Sequence, residues 1–98
     1  MRVEIIERSP GFSPEIDVGL NDNGDVWVIP AGGDNFPAAA TKYTISHTGE
    51  PHTGETFPVE SNGASGFPLP MPESVVFHVI ALTAADVEVG RMTMTVKF

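Results

Sequence analysis

Three groups of residues have types and spacings that could do chemistry. His47-Thr48-Gly49-Glu50 and His52-Thr53-Gly54-Glu55 form a tandem repeat around Pro51. Two imidazoles with a carboxylate, Glu50 or Glu55, are a donor set for a transition metal. The same residues read more simply as a polar loop turned by its glycines. The chain has no cysteine, so the zinc finger whose linker this repeat resembles cannot form. Asn21, Asn23 and Asp25 have the alternate spacing of a calcium loop. Val26, however, stands where that loop needs glycine, and no glutamate follows at the closing offset. Asp22 and Asp25 are a carboxylate pair of the kind used in acid–base catalysis. At a solvated turn both stay ionised, so neither becomes the acid.

Nucleophilic chemistry is equally bare. There is no G-x-S-x-G, and no histidine is tied to an acid at a recognisable spacing. Gly63-Ala64-Ser65-Gly66 lacks the lysine and the following helix of a phosphate loop. The expectation is a protein that is not an enzyme and uses no cofactor and no metal. Trp27, Tyr43 and Phe36 could make a sugar-stacking platform. Trp27 and Tyr43 fall on expected core faces, so packing is the reading adopted for them.

The elements that must position these residues are strands. Val75 to Leu82 is a near-continuous apolar run of β-branched and aromatic residues, suited to a strand buried on both faces. His78 lies within it and is read as a satisfied core histidine. Thr83 to Asp86 is a turn. Arg91, Thr93, Thr95 and Lys97 then alternate with Met92, Met94, Val96 and Phe98, the period of a half-buried strand. Val3 to Glu7 is a short first strand ended by Ser9-Pro10-Gly11. Glu15 to Ile29 is a hairpin turning at Asn23-Gly24. A two-residue turn there pairs Leu20 with Trp27 and Val18 with Ile29, putting Ile16, Val18, Leu20, Trp27 and Ile29 on one face. It also opposes Asp22 and Asp25, a mild cost that a longer Asn21–Gly24 loop would relieve. Phe36 to Ala40 is ambiguous, with three alanines enough for one helical turn. Thr41 to His47 is a strand, and Thr56 to Glu60 a short edge strand interrupted by Pro58. Residues 62–72 form a loop rich in glycine and proline. Phe67, Leu69 and Met71 alternate there, as in an extended stretch laid on the core.

Length and composition set the frame. Ninety-eight residues with 10 glycines, 9 prolines and no cysteine make one domain, 1–98, whose core must suffice without disulfides. No leader and no transmembrane span is legible. The expectation is a complete, free-standing protein made in the cytoplasm. Five basic residues against 13 acids give a net charge of −8. Basic residues so few and scattered build no phosphate-binding stripe, which disfavours nucleic acid and anionic membrane as direct partners. The acids keep a small β protein soluble and would favour a basic partner.

Together these features predict an all-β fold. The pieces resemble an immunoglobulin-like antiparallel sandwich of about seven strands, and within that class the fibronectin type III pattern. Trp27 with Pro30 resembles that family's tryptophan-and-proline second strand. Tyr43-Thr44-Ile45 resembles its Y-x-V strand, and Phe77-His78-Val79-Ile80-Ala81 its Y-x-V-x-A strand. Phe77 replaces the tyrosine whose hydroxyl closes the tyrosine corner. Leu69 and Pro72 miss the expected offsets, and the first strand is additional. The resemblance implies architecture and leaves activity open.

The functional expectation is a noncatalytic structural or interaction protein, a phage virion accessory subunit of the capsid-decoration or tail-associated kind. Its partner would be a protein, either a second copy or a larger assembly. Two contact devices are expected: an apolar patch of Phe67, Leu69 and Met71, and strand addition through Val3 and Ile5. One alternative is an acidic inhibitor of a basic nucleic-acid-binding enzyme, using Glu15, Asp17, Asp22, Asp25 and Asp34 as phosphate mimics. A second alternative is a carbohydrate-binding module.

Overall fold

A computed structural model of the chain describes residues 2–20, 26–31, 35–47, 56–60, 65–67 and 73–97. They form eight strands: β1 Arg2–Arg8, β2 Glu15–Leu20, β3 Val26–Ala31, β4 Lys42–Ser46, β5 Thr56–Pro58, β6 Ser65–Phe67, β7 Ser74–Leu82 and β8 Glu88–Lys97. The fold is all-β. Five strands make one sheet in the order β1-β8-β7-β4-β5, and three make another in the order β2-β3-β6. Every pairing is antiparallel.

The β7–β8 hairpin is the spine, as its pattern predicts. Phe77 lies opposite Met94 and Val79 opposite Met92, and all four are buried. Along β8 the even positions from Gly90 to Val96 are buried and the odd ones half-buried, a strict period of two. β7 is buried on both sides only from Val79 to Leu82; Ser74 and Val76 are exposed, Val76 at 41%. Phe77, Val79 and Ala81 enter the main core, while the alternate residues Ile80 and Leu82 are fully covered on the opposite face. The connecting turn is closed by Thr83. Its backbone accepts the Asp86 N–H at 3.0 Å, and its hydroxyl accepts the N–H groups of Ala85 and Val87, each at 3.2 Å. Asp86 takes a left-handed φ of 67° there.

The core lies between the sheets. Tyr43 and Ile45 of β4, Val28 of β3 and the inward residues of β7 and β8 form one cluster, with Ile16 and Val18 packed against it. A row of aromatic rings crosses it: Phe12–Phe36 at 5.0 Å, Phe36–Tyr43 at 5.1 Å and Tyr43–Phe57 at 5.5 Å between centroids. Such tilted pairs add attraction beyond the area they bury. The alanines after Phe36 build no helix. Ala38 and Ala39 form a turn in which the Ala40 N–H donates to the Pro37 carbonyl at 2.9 Å.

One register differs from expectation. Leu20 pairs with Val26, Gly19 with Trp27 and Val18 with Val28. A slip of one residue exchanges the faces of Trp27 and Val28. Val28 is therefore fully buried, and Trp27, expected in the core, is 37% exposed. The turn itself, residues 21–25, lies outside the described residues.

Candidate functional site

Two surfaces stand out once the strands are placed. The first is β1. It forms one edge of the five-stranded sheet, and all seven of its residues are exposed. The opposite edge, β5, is only three residues long and contains Pro58, both of which blunt strand addition. β1 is longer and has no proline. Val3 pairs with Val96 and Ile5 with Met94, so both lie on the core side of the sheet. Yet they remain 38% and 42% exposed, and Ile6 is 59% exposed. A bulge between Ile5 and Glu7 interrupts the ladder, leaving Arg2 to Ile5 as its regular stretch. Glu4 and Lys97 form a weak ion pair at 3.6 Å on the other face. Past the strand, Ser9 extends the pairing. Its N–H donates to the Arg91 carbonyl at 3.0 Å, and its hydroxyl accepts the Arg91 N–H at 3.0 Å.

The second surface is the outer face of the β2-β3-β6 sheet. Trp27 has Gly19 of β2 on one side and Gly66 of β6 on the other. Nothing lies within 4 Å of the place a Cβ on Gly19 would occupy. Asp17 and Glu15 follow Gly19 at two-residue intervals along β2, on the same face, and both are exposed.

The other expected residues separate into those the structure places and those outside the described residues. Tyr43 and Phe36 are buried in the aromatic row, away from Trp27, so the three-ring platform does not exist. Of the proposed apolar contact patch, Phe67 lies on β6 opposite Val26, while Leu69 and Met71 are outside the described residues. Of the acidic group, Glu15 and Asp17 lie on β2, and Asp22, Asp25 and Asp34 are outside the described residues. His47 is exposed at the end of β4, and His52, Glu50 and Glu55 are outside the described residues. Among the described residues no three histidine or carboxylate side chains gather in a metal-binding group.

His78 is half-buried on β7, between Ser46 and Thr93 of the neighbouring strands. Its Nδ1 lies 3.0 Å from the Thr93 hydroxyl. Burial, and then the Arg91 charge, push its pKa below the ordinary histidine value, with Glu88 opposing. Glu88 also accepts a hydrogen bond from Arg91 at 2.7 Å. An open depression of about 370 Å³ beside β4 and β5 is lined by Thr41, Lys42, Thr56, Phe57, Pro58 and Ala84. Among the described residues its one ionisable lining group is Lys42, which is paired with Asp86.

The residues that sequence reasoning missed are Phe12, Pro14 and the exposed Trp27. Phe12 and Pro14 are buried in the connection between β1 and β2, outside any strand pattern. No helix among the described residues is long and apolar enough to cross a membrane. No family model matches the chain, and neither a curated protein nor a solved structure shows significant similarity to it.

Proposed function

We propose that this chain is a noncatalytic assembly module that acts by protein–protein contact through β1. The observation that carries the reading is the exposed edge of β1, seven residues long, with Val3 and Ile5 on its core side. A neighbour's edge strand added at Arg2 to Ile5 would satisfy the backbone groups on that edge and cover both aliphatics. The strand order supports an immunoglobulin-like reading of the scaffold. β2-β3-β6 takes the part of strands A-B-E, and β8-β7-β4-β5 the part of G-F-C-C′, with β1 added outside the last strand. Its setting, in this proposal, is a phage particle, where an acidic accessory subunit docks on a larger shell or tail.

Gentle fractionation of the native source tests this directly. The chain should travel with a very large particle, and the double variant Val3→Lys/Ile5→Lys should run free at the 10.4 kDa of a single chain. Both positions are more than half covered on the core side, so the variant's melting temperature is measured beside the wild type's, and the loss of particle binding is read from a variant that remains folded. A wild-type chain that travels alone, or a variant that still enters the particle, would refute the proposal.

A further inference from the structure

We infer that Trp27, with the bare backbone floor at Gly19 beside it and the carboxylates of Asp17 and Glu15 beyond, is a stacking site for a neutral saccharide. Trp27 is the chain's one tryptophan, and it sits on the outer face, 37% exposed, while Val28 takes the core position. Both cross-strand neighbours of Trp27 are glycines. Adjacent strands lie about 4.8 Å apart, so the strip from Gly19 to Gly66 carries no side chain other than the indole across about 10 Å. Next to the ring, above Gly19, is open space. A half-exposed indole therefore has bare backbone on both sides.

Charge narrows the ligand. None of β2, β3 and β6 contains a basic residue, and the chain carries −8, which opposes a phosphorylated or carboxylated ligand. Asp17 is the diagonal neighbour of Trp27, about 7–8 Å away between backbones, and it and Glu15 only accept hydrogen bonds when ionised. A pyranose matches both features. Its C–H face rests on the indole, and its hydroxyls donate to the carboxylates. A cationic side chain would meet the same charges. A single indole can accept such a cation too, but that contact would depend on charge and be weakened by salt, whereas stacking of a neutral sugar ring would not.

The assay follows from there being one tryptophan, since all tryptophan emission reports this position. The intact chain is titrated with soluble neutral oligomers of glucose, mannose, xylose and N-acetylglucosamine. At least one should give a saturable emission shift that persists in high salt. Gly19→Val fills the open floor from a Cβ that meets nothing within 4 Å and places a strand-favouring residue in β2, so it should fold. Its affinity should fall about tenfold or more. Trp27→Ser, read by calorimetry, should abolish binding and serves if Gly19→Val does not fold. The inference fails if no oligomer changes the emission, or if Gly19→Val responds like the wild type. A response confined to a lysine-rich peptide and lost in salt would also overturn it, assigning the face to cation recognition.

Discussion

Two glycines in neighbouring parts of this sandwich should respond oppositely to the same methyl group. At Gly90 of β8, a Cβ would lie 2.9 Å from Pro37 Cγ and 3.7 Å from both Pro37 Cδ and Ser9 Cβ. The proline ring is stiff and cannot swing aside as the tip of a lysine would. Overpacking of this kind costs about 1–3 kcal/mol. Replacing glycine also restricts the unfolded chain, which stabilises by about 0.4–1 kcal/mol where the backbone tolerates it. The net for Gly90→Ala is a loss of about 1–2 kcal/mol, or about 5–15 °C in melting temperature for a domain of this size. At Gly19 the same methyl meets nothing within 4 Å. Gly19→Ala should therefore keep only the favourable entropy and melt a few degrees higher. Thermal and urea unfolding of both variants give the comparison. Pro37→Ala in the Gly90→Ala background should recover part of the loss, as a double-mutant cycle would show. If Gly90→Ala melts with Gly19→Ala, the packing of the 35–40 segment against β8 is wrong.

The histidine gives a pH prediction. Because burial and Arg91 lower the folded pKa of His78, the unfolded chain binds the proton more readily. This contribution to stability is intact above the ordinary value of about 6.5 and is lost as pH falls from there through the lower folded value. His78→Gln should remove that part of the acid sensitivity, and identical pH slopes in the two proteins would refute it. At the β7–β8 turn, Thr83→Val removes the hydroxyl that accepts two backbone N–H groups while keeping the side chain's shape. These are exposed bonds, so a cost of about 0.5–1.5 kcal/mol is expected by denaturant unfolding. No loss would mean that the backbone bond from Asp86 to Thr83 suffices to hold the turn.

How far the sequence could be read depended on where each element's information lies. The β7–β8 hairpin was legible because its apolar run and its strict alternation each specify burial within the strand itself. The short β5 and its Pro58 were legible for the same local reason. Phe12 was not, because an aromatic in a connection is buried only by the path the chain takes. Nothing in Gly11-Phe12-Ser13 announces that path, although the positive φ of 75° at Gly11 is what turns it inward. The edge of β1 was half legible. Its strand was evident from Val3 to Glu7, but the bulge that limits the regular edge to Arg2–Ile5 comes from pairing with β8.

Trp27 shows how an exposed aromatic can hide in an ambiguous pattern. From Val26 to Ile29 every residue is apolar, so composition does not say which face of β3 is inside. Assigning the largest side chain to the core is the natural choice, and a two-residue turn at Asn23-Gly24 agrees with it. One cost opposes that choice, because a two-residue turn sets two aspartates against each other. The observed register instead pairs Trp27 with Gly19 and buries Val28 in the cluster that Ile16 and Val18 pack against. The glycine in β2 then gains a reason. A glycine inside a strand weakens it, and is expected where another group must approach the backbone closely. Opposite a half-exposed indole, with nothing filling the space above it, Gly19 is the residue through which the saccharide inference is most directly decided.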